Sequence, residues 1–289
     1  MCLPGWTWIA VTSLPCEPRK KGDEHVRETD NSITSQIEQW ASRQLADYDA
    51  HDPGTLFADG LELDVAQGYA LQAAVAHLRQ RRGERIVGYK VGCTSPTIRK
   101  QLGIQHCVTG NLYDSERHAS GVTLSRSRYA NLAIEGELAV ELAREPLACD
   151  FSDDDIPACV ARVVPVIELH NHVMRGQRPS AGELIANNAI HAGFVVGCGV
   201  AREDARGDPS LAIFADDQLL DECQGSILIE TIRSSLQWLT KTVQERGDRL
   251  SAGQIILTGS IPRLIPLRQD CCLRVDAPPL GSVKVAFMT

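Results

Sequence analysis

Apolar residues recur along this chain in two periods, one near 3.6 residues and one of two, and the longer period dominates the N-terminal third. Ile33, Ile37, Trp40, Ala41 and Leu45 fall near one face and predict a helix over 32–48. A second helix is predicted over 64–82, with Asp64 as its N-cap and Gly83 ending it. The β-branched run Arg85-Ile-Val-Gly-Tyr-Lys-Val-Gly92 reads as a strand. Ser95 and Pro96 open a short helix over 97–102, stopped by Gly103. Strands are then predicted over 133–143, 160–169, 189–196 and 211–215. One long helix, 226–246, carries Ile227, Ile229, Ile232, Leu236, Leu239 and Val243, and strands over 254–257, 273–275 and 282–287 follow it. Helices first and strands later, with one helix inserted, predict an α+β domain rather than alternating βαβ units.

Composition narrows the function classes. The 289 residues carry a net charge of −8 without a Lys/Arg-rich stripe, which argues against nucleic-acid binding. No apolar run approaches the ~18 residues needed to span a bilayer. The glycines form neither G-x-G-x-x-G nor a P-loop, so nucleotide binding has no support. None of the ten cysteines makes a C-x-x-C pair, and the expectation is reduced thiols packed as small hydrophobes. The start of the chain, Met1 to Pro15, is mildly apolar but lacks the basic n-region of a secretory signal; Arg19, Lys20 and Lys21 come after it. Residues 1–31 are therefore expected to be a poorly ordered extension, and the protein cytoplasmic.

Candidate chemistry begins in Ala133-Ile-Glu-Gly-Glu-Leu-Ala-Val-Glu-Leu142. Strand side chains alternate, so Glu135 and Glu137 point to one face, with Glu141 further along it. Two like charges on a half-buried face repel and are costly to desolvate, and a cation between them removes that cost. Glu168 ends the apolar run Val163-Val-Pro-Val-Ile-Glu168, where a lone charge is otherwise hard to explain. Three carboxylates give an all-oxygen shell suited to Mg²⁺ or Mn²⁺ rather than Zn²⁺. Spacing alone also fits a solvated strand face.

Six motifs occur in one order: Gly88-Tyr-Lys-Val-Gly-Cys-Thr-Ser-Pro96, Ile134-Glu-Gly-Glu-Leu-Ala139, Pro165-Val-Ile-Glu168, Asn187-Asn188 with Phe194-Val-Val-Gly197, Ile256-Leu-Thr-Gly-Ser-Ile261, and Leu280-Gly-Ser-Val283. Over residues 32–289 the chain resembles the 2-keto-4-pentenoate hydratase and 4-oxalocrotonate decarboxylase group of the fumarylacetoacetate hydrolase superfamily. The resemblance implies a mixed β-roll or sandwich with flanking helices, the helices of residues 32–83 packing on the roll. It implies Glu135, Glu137 and Glu168 as ligands of Mg²⁺ or Mn²⁺, and Lys90 in the active site with a pKa lowered by burial. Bare sequence would place Lys90 in solvent. Thr258, Gly259, Ser260 and Asn188 are implied at the substrate; a plain turn at a strand end is the alternative for the first three. The implied partner is a small 2-oxo acid, and the implied assembly is a homo-oligomer, with a complex with a pathway enzyme as a second arrangement.

Three departures from the family pattern matter. Val108-Thr109-Gly110 lacks an Asp before the Gly, Asn171-His172-Val173 replaces Asp-Ser-Arg, and Asn187-Asn188 replaces Asp-Asn. Candidates to replace the missing carboxylate and Arg are His106, His170, His172 and Arg175. His170 shares a strand face with Glu168 and is favoured as a catalytic residue. With Val173 at the expected Arg position, a substrate with one carboxylate is expected, which ranks hydratase above decarboxylase. C–C bond hydrolysis ranks third, for want of a His–Glu pair to activate water. A non-catalytic partner subunit is the reading from another class.

Overall fold

Helix α1 (Gly22–Asp49) begins before the residue-32 start that periodicity suggests, and α2 (Thr55–Ala58) and α3 (Val65–Arg81) follow it. The computed structural model describes residues 22–153, 155–173 and 180–289, the segment 22–34 by backbone alone. Residues 1–21 of the expected extension, and Arg175, lie outside the described residues. Asp64 caps α3 as expected: its carboxylate accepts from the Gln67 N–H at 2.8 Å, and the Gln67 side chain accepts from the Asp64 N–H at 3.0 Å.

The next elements are β1 (Ile86–Gly92), α4 (Pro96–Leu102), β2 (Val108–Tyr113), β3 (Arg117–Ala119), β4 (Val122–Ser125), β5 (Leu132–Leu142) and β6 (Val160–Asn171). Then come α5 (Ala181–Ala186), β7 (His191–Val196), β8 (Val200–Ala201), β9 (Ser210–Ala215), β10 (Gln218–Gln224) and α6 (Ile227–Glu245). The chain closes with β11 (Ile255–Leu257), β12 (Ile265–Pro266), β13 (Cys271–Asp276) and β14 (Ser282–Met288). One sheet has the order β2-β1-β11-β5-β6-β7-β3, with β12 added to β5 and β8 to β6; the other has the order β10-β9-β13-β14-β4. This is the expected α+β roll with flanking helices. No helix among the described residues is long and apolar enough to cross a membrane.

The body of the protein, Ile37–Thr289, is organised by β5 and β6, which pair antiparallel from Leu132↔Asn171 to Leu142↔Val160. Their even and odd positions face opposite ways. Ile134, Leu138, Val140, Val163, Ile167 and Leu169 join Ile213, Val275, Val283 and Val285 of the second sheet in one core. Helix α6 seals that core with Ile232, Leu236, Leu239 and Val243, at spacings of four, three and four. Gly136 sits close against the second sheet. A Cβ there would meet Ile213 Cγ1 at 2.8 Å and Val275 Cγ2 at 2.9 Å. The glycine between the two glutamates is therefore required by packing on the opposite face.

Candidate active site

The other face of β5 and β6 carries the acids. Glu135 and Glu168 are direct cross-strand partners, and Glu137 lies two residues along on the same side. Lys90 comes from β1, whose neighbours are β11 and β2. Gly110 faces Lys90 in the ladder and makes room for it, since a Cβ there would lie 2.9 Å from Lys90 Cγ. Lys90, Glu137, Glu168 and His170 are each at most 4% exposed, whereas Glu135 is half-buried.

The charges are tightly interlocked. Lys90 Nζ lies 2.9 Å from Glu168 Oε1 and donates to the Ala189 carbonyl at 3.0 Å. His170 Nε2 is 3.2 Å from Glu135 Oε2 and 3.6 Å from Glu168 Oε2. One ligand atom from each of Glu135, Glu168 and His170 lies within 4.8 Å of the others, so these three converge on one point. Glu137 accepts from the Gly259 N–H, while its Oε1 is buried without a hydrogen-bond partner.

These neighbours set the protonation states. Burial, then Glu168 and Glu135, push the Glu137 carboxyl well above its ordinary range. Burial pushes Glu168 the same way, but Lys90, His170 and His191 outweigh it and hold that carboxylate far below the usual range. The two carboxyls are thus driven in opposite directions, Glu137 toward holding its proton and Glu168 toward ionisation. Lys90 departs from expectation. Burial favours the neutral amine, yet Glu168 and Glu135 overcome that and raise the ammonium pKa above the ordinary lysine value. Burial pushes the neighbouring Cys93 thiol up to about 11.

The remaining candidates scatter. Thr258 Oγ1 donates to the Leu138 carbonyl at 2.7 Å, and Ser260 Oγ donates to the Gly136 and Pro262 carbonyls, so both hydroxyls serve the backbone. The loop's contact with the acids is the Gly259 N–H. Asn188 uses its whole amide on β2, accepting from the Asn111 N–H at 2.7 Å and donating to the Asn111 carbonyl at 2.9 Å. Residues 188–190 have φ of 54°, 52° and 57°, which delays β7 from the expected residue 189 to His191 and turns the Ala189 carbonyl toward Lys90. His106 and His172 are exposed, and half-buried Val173 lines a cavity with Asn171 and His191.

Sequence reasoning passed over His191 and Glu116. His191 Nδ1 lies 2.6 Å from Glu168 Oε1, and its Nε2 faces Glu116 Oε2 at 3.7 Å. A bulge in the β6–β7 ladder produces this: Leu169 pairs Gly193, but His170 pairs His191. Strict alternation from Phe194 would have put His191 on the far face, so no sequence period could have flagged it.

No protein-family model matches the chain. It is 27% identical over 226 residues to 2-keto-4-pentenoate hydratase of Burkholderia vietnamiensis, covering 78% of this chain and 86% of the relative. It is 26% identical over 248 residues to 4-oxalocrotonate decarboxylase of Pseudomonas putida, covering 84% and 93%. Its fold matches that of 4-oxalocrotonate decarboxylase from Pseudomonas putida G7, solved with magnesium and adipate, with a TM-score of 0.78 at 24% identity over 88% of this chain and 98% of that one. The chain is thus similar to the hydratase and decarboxylase group that its motifs resemble.

Proposed function

We propose that this protein is a divalent-metal-dependent hydratase that adds water to a small 2-hydroxydienoate or 2-oxo-enoate. The observation that carries this reading is the meeting of Glu135, Glu137 and Glu168 on one face of β5 and β6, beside Lys90. Three carboxylates crowd that place with a single ammonium beside them, and burial with the neighbouring acids drives the Glu137 carboxyl toward its protonated form. A dication matches that place better than a proton does, and the oxygen donors suit Mg²⁺ or Mn²⁺. Glu135, Glu137 and Glu168 would hold the ion, with His170 at its edge. When bound, such an ion supplies a Lewis acid and electron sink for a chelating 2-oxo acid.

The side chains of the chain do the rest. Lys90 holds a proton on Nζ, aimed by Glu168 and the Ala189 carbonyl, and delivers it to the dienoate carbon. His170 Nε2 takes the proton of the water that adds to the far end of the resulting enone and returns it to the carbon beside the ketone, while the proton released from the 2-hydroxyl restores Lys90. Gly259 N–H orients Glu137. Arg79 does not supply the absent family arginine, because Glu84 and Glu116 already neutralise it in the interior. Without Arg79 as its partner, a distal carboxylate on the substrate would enter at a cost of several kcal/mol if desolvated. This favours a substrate with one carboxylate and an uncharged tail. Decarboxylation of a 2-oxo-enedioate is the second reading, supported by the closeness in fold to the decarboxylase.

We read residues 32–289 as one catalytic domain, and the protein as a cytoplasmic homo-oligomer; the family likeness supports both. Turnover with Mg²⁺ on mono- and dicarboxylic 2-hydroxydienoates tests the function. A higher kcat/KM for the monocarboxylate, with water added, is expected. Preference for the dicarboxylate with CO₂ released would overturn it in favour of the decarboxylase. Lys90→Ala should lower turnover by at least ~10²-fold, the usual scale for an acid–base group. Unchanged turnover would remove Lys90 from the chemistry.

A further inference from the structure

The polar groups around Glu168 do not end at the acid cluster. His191 is 2% exposed and donates from Nδ1 to Glu168 Oε1 at 2.6 Å, fixing which ring nitrogen carries that proton. Its other nitrogen faces Glu116 at 3.7 Å. Glu116 sits in the turn before β3 and is anchored twice on its other oxygen: Arg79 of α3 lies 2.7 Å away, and the Tyr48 hydroxyl of α1 donates at 2.5 Å. Arg79 is itself immobilised, bonding Glu84 through Nε at 2.9 Å and stacking 3.5 Å from the centroid of the Tyr113 ring. A buried line of partners therefore runs from the third carboxylate, through one imidazole, to residues of two helices and a turn. No part of the proposed chemistry uses it.

We propose that His191 and Glu116 are positioning residues that fix the Glu168 carboxylate for metal, with Arg79 and Tyr48 as the fixed end of the line. This rests on the reading of Glu168 as a metal ligand. The physical case is one of degrees of freedom. A glutamate side chain has three rotatable bonds, and a ligand that must be ordered when the ion arrives loses affinity by that ordering. Lys90 cannot do the ordering alone, because its ammonium is a point charge on a flexible stem. A planar imidazole bonded to Glu168 through Nδ1, with a clamped carboxylate 3.7 Å beyond its other nitrogen, defines both a direction and a distance. Groups that orient a ligand in this way typically contribute 10–100-fold to metal affinity. The β6–β7 bulge supports the assignment, because it places the ring on the acid face at the expense of a regular ladder.

Mn²⁺ titration by calorimetry on the full chain tests it, with Glu168→Gln as the reference variant. His191→Ala should weaken Mn²⁺ at least ~10-fold, and His191→Asn, whose amide N–H can occupy the Nδ1 place, should recover most of the loss. Glu116→Gln should weaken Mn²⁺ several-fold, and should add little in the His191→Ala background, since both act on one carboxylate. Wild-type affinity in His191→Ala, alongside loss in Glu168→Gln, overturns the positioning role and leaves the metal site standing. Failure of the wild type to bind Mn²⁺ overturns the metal site itself. If His191→Ala does not fold, Glu116→Gln carries the test, and wild-type affinity there overturns the proposal.

Discussion

The two faces of the β5–β6 pair are made from alternate residues of the same strands, yet they obey opposite rules. On the even face of β5, Ile134, Leu138 and Val140 join one apolar core with residues of the second sheet. On the odd face, Glu135 and Glu137 meet Glu168, Lys90 and His170. The apolar face gains by removing area from water, a term that tolerates many shapes. The acid face loses by the same removal, and that loss is offset by the specific partners of Glu135 and Glu168. The larger core lies on one side of the sheet, and the chemistry lies on the other beside a smaller apolar cluster that includes Val164, Val166 and Phe194.

That separation can be tested one face at a time. Ile134→Ala should cost about 2–5 kcal/mol of stability in denaturant unfolding, as for other fully buried aliphatic truncations, while the folded fraction keeps its Mn²⁺ affinity. A change in Mn²⁺ affinity would show that the faces are not independent. Gly136→Ala should cost about 1–3 kcal/mol by overpacking, because the new methyl strikes Ile213 and Val275 rather than the acids. The smallest effect is a slope. In the metal-free protein the folded pKa of Glu137 lies above its unfolded value, so the folded state holds that proton more tightly. The stability it contributes is complete below the unfolded pKa and is lost as pH rises through the folded one. Glu168 is shifted the other way and acts only below the ordinary carboxylate range, so the two windows do not overlap. Tm of the metal-free protein should therefore fall as pH rises above the ordinary glutamate pKa, and Glu137→Gln should flatten that fall. An identical slope in the variant would place the proton elsewhere.

Much of this was legible in the sequence, wherever local periodicity and tertiary environment agree. The α3 cap, the α6 stripe and the alternation in β5 follow from residue order alone, because burial on one face enforces the period. The edge strand β10 was missed, because Gln218, Asp221, Glu222 and Gln224 make it largely polar and its partner β9 supplies the pairing. β2 was missed because its Val-Thr-Gly-Asn run gives no clear alternation; it is specified by Lys90 and Asn188 on neighbouring segments. Within the site, Glu135, Glu137, Glu168 and His170 could be grouped by alternation on two strands. His191 needed a bulge, Glu116 needed a fold, and the charge state of Lys90 needed its neighbours. Burial alone predicts a lowered lysine pKa, and three facing carboxylates reverse the sign.

The left-handed turn at residues 188–190 carries a consequence for how this protein can change. Left-handed backbone costs roughly 1–2 kcal/mol for each residue bearing a side chain, and here three such residues follow one another. Asn188 holds the turn by its paired bonds to Asn111, and the Ala189 carbonyl it turns outward is the one that meets Lys90. Selection for thermal robustness would therefore find early gains here, by glycine at Ala189 or by a relaxed connection into β7. Each such gain would release the carbonyl that aims the ammonium. In a lineage drifting toward sturdier variants, this turn is where activity would be surrendered first, with every acidic residue still in place.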